Sequence, residues 1–225
     1  MERFVLSYFE CRGRAEPIVL LLELANLSYE LRPVSFAAWK HEKLSCPSPL
    51  AQLPWLEDRV EGVVLGQSQA IARHVARVAG LAGRTLAEQA RVDEISESCA
   101  DLHRELLGVC WSREERADME AHRAKTVRML DLFQAFLKRV RPDVTHLIAP
   151  EYVSLADVNV AHFLEAIAPL HEGLLEGYPD LNAFFKAFFE LPRIREYVTS
   201  DRRHKTYTVP EAVWGGKHEE TIQHK

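Results

Sequence analysis

Residues 7–17 read S-Y-F-E-C-R-G-R-A-E-P, and this stretch constrains the chain more than any other. Before it, Phe4-Val5-Leu6 is apolar and partly β-branched, so a first strand is expected to end near Tyr8 or Phe9. After it, Ile18, Leu21, Leu22 and Ala25 recur at helical spacing, which predicts a helix from near Gly13. Pro17 is tolerated in a first helical turn, where its missing N–H would have no partner. A tyrosine therefore stands where a strand hands over to a helix N-terminus. The free amides and dipole of such an end favour an anion nearby, and Arg12 and Arg14 add positive charge. A phenol there can donate a hydrogen bond to an anion such as a thiolate. It can equally be an aromatic at the edge of a core with solvated arginines beside it, and this stretch alone does not decide.

The 225 residues suffice for one or two domains with a substantial core. A net charge of −5 speaks against a nucleic-acid partner, which would call for a basic face. No apolar run approaches the length of a membrane span, and the first residues carry no signal-peptide core, so a cytoplasmic setting is expected. Cys11, Cys46, Cys99 and Cys110 form no C-x-x-C pair, which fits free thiols rather than a zinc or redox motif. Cys99 and His103 are four apart, yet no second ligand pair accompanies them. They read as a buried thiol beside a surface histidine, and no metal is expected.

Residues 27–34 alternate apolar and polar and predict a second strand, completing a β-α-β unit with parallel strands. The irregular residues 35–48 hold Trp39 and Lys43, four apart, which on a helix would share a face and could offer an indole N–H and an ammonium to a carboxylate. Residues 53–57 and 63–65 read as a hairpin around the charged turn 58–62. Pro54 at its start is a place for a cis bond, which would turn the backbone of Leu53 outward toward a ligand's peptide group. Gln67 and Ser68 follow, with Ser68 the expected N-cap of a helix whose apolar face is Ile71, Val75 and Val78.

The combination Y-F-x-x-R-G-R-A-E, W-x-x-x-K, Q-L-P-W-L-E and Q-S-x-A-I-A-R resembles the cytosolic glutathione S-transferases. Within them it is most similar to the sigma class, which includes haematopoietic-type prostaglandin D synthase and the S-crystallins. Two departures stand out: the hairpin between Leu56 and Gln67 is longer, and Leu50-Ala51-Gln52 replaces the usual Phe-Gly before a Lys or Gln. The resemblance implies a thioredoxin-like domain over 1–80, a linker over 81–85, an all-helical domain over 86–210 and a tail over 211–225. In the second half, apolar positions recur at three and four through residues 92–109 and 121–140, and Pro142 is expected to end the second of these helices. Ser154-Leu155-Ala156-Asp157 is a capping signal for the next helix, with a structural role for Asp157. No nucleotide-binding glycine loop is present.

The resemblance also implies the chemistry. Glutathione is the expected substrate, with Tyr8 donating to its thiolate and Arg14 holding Tyr8 and adding positive potential. Trp39 and Lys43 would meet the glycyl carboxylate, Leu53 and Pro54 the cysteinyl unit, and Gln52, Gln67 and Ser68 the γ-glutamyl end. Asp101 would reach the γ-glutamyl amine of a neighbouring subunit, which makes a homodimer the expected assembly. Phe9, Leu106, Trp111 and Tyr207 would wall the pocket for a hydrophobic electrophile. The tail to about Trp214 is expected to pack back near that pocket, with Lys217 onward mobile. A glutathione-dependent prostaglandin isomerase and a non-catalytic crystallin-like protein are the alternatives.

Overall fold

The computed structural model describes residues 2–112, 115–140, 146–147, 151–217 and 224. The first domain is a four-stranded sheet of order β2-β1-β3-β4, built from β1 (Phe4–Tyr8), β2 (Tyr29–Pro33), β3 (Trp55–Asp58) and β4 (Val63–Leu65). Strand β1 pairs parallel with β2 and antiparallel with β3. That is the thioredoxin-like arrangement expected from the β-α-β unit and hairpin. Helix α1 (Glu16–Leu24) buries Ile18 through Leu22 in a continuous run, so it is apolar on more than one face and lies inside the molecule. It begins three residues later than the sequence spacing predicts, because residues 9–15 form a turn rather than a first helical coil.

Short helix α2 (Phe36–Glu42) is capped by Ser35, whose Oγ accepts from Ala38 N at 3.3 Å. Helix α3 (Ser68–Ala79) ends on Gly80 in the left-handed conformation, φ 72°, which closes its last carbonyls. Ser68 is not the N-cap: Gln67 takes that place with φ 66° and ψ 108°, and Ser68 is the first helical residue. The hairpin strand also starts later than the apolar run implies, at Trp55, because the Leu53-Pro54 bond is cis and turns the chain before pairing begins.

The second domain is helical throughout its described residues. Helix α4 (Leu86–Trp111) opens on a capping box, Thr85 with Glu88. Helices α5 (Glu115–Val140), α6 (Leu155–Leu170), α7 (Pro179–Phe189) and α8 (Pro192–Val198) complete it. Pro142, expected to end α5, lies outside the described residues. Helix α6 is the axis of the domain, with every residue from Leu155 to Ile167 buried and packed against α4 and α1. Asp157 holds its entry. It accepts from Ser154 N at 2.8 Å, Ser154 Oγ at 2.6 Å and Leu147 N at 2.6 Å. No helix of the described residues is long and apolar enough to cross a membrane.

The two domains share a buried charge cluster. Arg203 donates to Glu16 at 2.6 Å and to both carboxylate oxygens of Glu165 at 2.7 and 2.9 Å, while Arg12 reaches Glu165 at 3.3 Å. Burial alone would favour the neutral acid, but Arg203 and Arg12 hold Glu165 well below the usual carboxylate range. Lys217 and His224 are the described residues of the stretch expected to be mobile. His224 does not stand free: it stacks on Phe189 at 4.3 Å and meets Glu165 at 2.7 Å.

Candidate active site

Tyr8 is the last residue of β1, at the carboxyl edge of the sheet. The turn that follows brings the chain back under its ring. Gly13 adopts φ 37°, and a methyl group there would lie 2.7 Å from the Tyr8 hydroxyl, so only glycine fits. The next amide, Arg14 N–H, donates to Tyr8 Oη at 3.2 Å. That bond occupies a lone pair of the phenol and leaves its proton to point elsewhere. Burial drives the Tyr8 pKa up, which outweighs the opposing pull of Arg14 and keeps the hydroxyl protonated and able to donate. Cys11, buried one turn away, has its thiol pushed up to about 12 by desolvation and by Glu16, so it is a poor nucleophile.

Two clefts meet at Phe9, Arg14 and Leu53, and Tyr8 lines the second of them. One, of about 390 Å³, is lined by Phe9, Arg14, Trp39, Lys43, Gln52, Leu53, Gln67, Ser68 and Arg104. The structure therefore brings together the residues that the sequence associates with one peptide-like ligand. Trp39 stacks on Trp55 at 6.1 Å and meets Phe9 edge-on at 6.4 Å, which fixes its indole at the rim. The cis bond at Leu53-Pro54 turns Leu53 toward the cleft without placing Pro54 among its lining residues. Gln67 donates through its amide to Gln52, and its positive φ sets Ser68 at the start of α3, where helix amides are unpaired.

The second cleft, of about 410 Å³, is lined by Tyr8, Phe9, Leu53, Leu107, Gly108, Trp111 and Tyr207 among others. Leu107, not Leu106, forms its wall. Leu106 is fully buried behind it with Cys110, Ala166 and Tyr207, because adjacent helical residues point about 100° apart. Phe36, which carries no sequence signal, stands between Phe9 and Trp111 and stacks on the latter at 5.7 Å across the mouth. His103 is also a correction: it is buried, and Tyr207 Oη contacts its Nδ1 at 3.2 Å. Asp101 is exposed and pairs with Arg104 at 2.8 Å, one helical turn along α4. Arg104 itself lines the first cleft, a role that no motif signals.

The family description "Glutathione S-transferase, N-terminal domain" matches residues 4–77, and "Glutathione S-transferase, C-terminal domain" matches residues 100–201. The chain is 30% identical over 212 residues to glutathione S-transferase P 1 of Xenopus laevis, covering 93% of this chain and 98% of the relative. It is 30% identical over 205 residues to glutathione S-transferase Mu 1 of Oryctolagus cuniculus, covering 88% and 91%. Among solved structures it is similar to rat hPGDS complexed with a quinoline, with a TM-score of 0.80 and 26% identity over 91% of this chain and 99% of that one.

Proposed function

Since the chain belongs to the glutathione S-transferase family, we propose that it uses a Tyr8-stabilised glutathione thiolate to attack hydrophobic electrophiles. The observation that carries this is the Tyr8–Gly13–Arg14 turn, a protonated phenol held by a backbone amide in the second cleft, beside Arg14, which lines both clefts. A free thiol with a pKa of about 8.5 is only a few per cent ionised at neutral pH. A hydrogen bond from Tyr8 that is stronger to S⁻ than to S–H lowers that pKa, each unit being about 1.4 kcal/mol. The thiol proton leaves to solvent, the sulfur attacks, and the donor stays protonated throughout. The partly enclosed site strengthens the bond relative to water.

In this reading the tripeptide lies along the first cleft. Its glycyl carboxylate meets Trp39 and Lys43, its cysteinyl backbone pairs with Leu53, and its γ-glutamyl end reaches Gln52, Gln67 and Ser68, with Arg14 and Arg104 adding positive charge. The second cleft, walled by Phe9, Leu107, Trp111 and Tyr207, takes the electrophile. The sigma-class motifs and the likeness to the rat structure support placing the chain nearest that class. The same thiolate would serve an isomerase, so the first cleft supports either reaction and conjugation is the simpler reading. We also read the protein as a two-fold homodimer in which Asp101 serves the neighbouring site.

Tyr8→Phe tests the reading, because it removes one hydroxyl and no packing. Turnover should fall roughly tenfold to a thousandfold, the range for losing one preorganised donor. Retention on immobilised glutathione should persist. Unchanged turnover would remove Tyr8 from the mechanism.

A further inference from the structure

The tail does more than border a cleft. Three consecutive amides of the catalytic turn divide their bonds: Arg14 N–H goes to Tyr8 Oη, while Arg12 N–H and Gly13 N–H donate to the carbonyls of Thr206 and Tyr207 at 3.0 and 2.8 Å. The turn that fixes the phenol is thus itself fixed by a chain segment almost two hundred residues away. That segment is well anchored. Tyr207 is 3% exposed, with its hydroxyl on His103. Arg203, just before it, is locked to Glu16 and Glu165. Gly215 O accepts from both Tyr207 N and Thr208 N, which closes residues 207–215 into a loop. Val213 N and Trp214 N donate to Cys110 O, supplying the last turn of α4 with partners that it lacks within the helix.

We propose that residues 206–216 are a positioning strap for the Tyr8–Gly13–Arg14 turn, so that they set how strongly Tyr8 stabilises the thiolate as well as bordering the electrophile's cleft. The inference rests on the transferase reading of Tyr8. A strap that only walls the second cleft would change the Michaelis constant of the electrophile and leave thiol ionisation alone. A strap that holds the turn must also move the acid side of the pH–rate profile, because a displaced phenol donates less well to S⁻. Thr206 and Tyr207 act here through their carbonyls, so they position the donor rather than take part in the chemistry.

Gly216 gives a point substitution that unseats the strap within the full chain. A methyl there would lie 2.6 Å from Val209 O and 3.0 Å from Pro210 Cα, both backbone atoms. For Gly216→Ala, the acid limb of kcat/KM for glutathione should move up by about one pH unit, which along that limb is a loss of roughly tenfold that higher pH restores. Amide hydrogen exchange at Arg12 and Gly13 should quicken at least about tenfold, since the bonds that protect them open locally. A chain ended after Arg203 keeps the Glu16 and Glu165 ion pairs and should show both changes more strongly. Exchange is read without turnover, so a failure of the strap is separable from a failure of Tyr8, which Tyr8→Phe reports. An unmoved acid limb in a folded truncated chain, even with a raised Michaelis constant for the electrophile, would overturn the proposal. So would unchanged exchange at Arg12 and Gly13 in that chain. Should truncation prevent folding, Gly216→Ala decides by the same two readouts.

Discussion

The two domains use polarity in opposite ways. In the first, the groups around Tyr8 are presented at a cleft, and their placement depends on unusual backbone: Gly13 at φ 37°, a cis bond before Pro54, Gln67 at φ 66°. In the second, polar groups are drawn inside the helical packing. Asp157, Asn159, His162 and Glu165 all lie buried on α6, and His122 of α5 meets His171 at the end of α6 at 2.9 Å. In the first domain the special backbone shapes the cleft walls at Arg14, Leu53 and Ser68. Buried polarity marks where helices must be held in one register. The cleft groups around Tyr8 should therefore lose function before stability when altered, and the buried polar groups of the second domain should lose stability before function.

The largest effect that would test this contrast is expected at Asp157. Its carboxylate accepts from three buried donors, two of them backbone amides. Burial raises its pKa against the pull of Ser154 and Leu147, so the site tolerates the charge only because those donors are present. Asp157→Ala strands all three and should cost about 3–5 kcal/mol in urea unfolding. The Michaelis constant for glutathione of the folded protein should not change. A stable variant with impaired glutathione binding would reverse the contrast.

Next in size is the pH response of the buried histidines. Desolvation, first among the causes, lowers His162 to about 4 although Glu165 and Glu16 pull it upward, and lowers His171 to about 4 with help from His122. Arg12 and Arg203 oppose protonation of His162 as well. An unfolded histidine titrates near pH 6.5, so between that value and about 4 the unfolded chain binds more protons than the folded one. Stability is then full above about pH 6.5 and is lost as pH falls through the window, by up to about 1.4 kcal/mol per pH unit for each such histidine. The His122–His171 contact needs one ring nitrogen as acceptor, so that pair cannot be doubly protonated without breaking it. In the first domain, Asp58 is held at about 2 by Arg3, His74 and two amides against the effect of burial. Its loss falls between about pH 3.8 and 2, below the histidine window. Denaturation midpoints should therefore drop from about pH 6.5 downward, and His162→Gln should flatten part of that slope. A midpoint that holds level to about pH 4.5 would contradict this account.

This contrast also explains what the sequence reveals. The first domain's β-α-β unit, hairpin and proline turn follow from local signals, a β-branched run, a Leu-Pro and a Gln-Ser before a helical period, whereas the full set of cleft residues comes with the family resemblance. Ser68 is misread by one position because nothing in its neighbours signals the positive φ that Gln67 adopts. The capping box at Ser154 and Asp157 is legible for the same local reason. Leu106 and Leu107 are not distinguishable, since periodicity finds a helix's inner face but not which edge of it meets a cleft. His103 is misjudged because a histidine beside Arg104 looks solvated, and its partner Tyr207 is more than a hundred residues away. The strap's bonds to Arg12 and Gly13 have no sequence signature, being made by carbonyls that every residue carries.

Asp101 is the exception by which the contrast can be sharpened, with the smallest expected effect. It lies on α4 in the helical domain, yet its side chain is exposed and its only charge partner among the described ion pairs is Arg104 at 2.8 Å. An exposed i,i+3 pair of this kind is worth about 0.3–0.5 kcal/mol. Asp101→Asn should therefore leave urea stability within about 0.5 kcal/mol of the parent. If the carboxylate reaches a neighbouring copy's γ-glutamyl amine, the same change should raise the Michaelis constant for glutathione about threefold to tenfold, the equivalent of one exposed charge-assisted hydrogen bond. Light scattering should give a mass twice that of one chain, as an isologous two-fold contact requires. A fully active monomer, or a glutathione constant unmoved by Asp101→Asn, would leave Asp101 as a solvated partner of Arg104. The helical domain would then contribute no charge of its own to a neighbour's tripeptide.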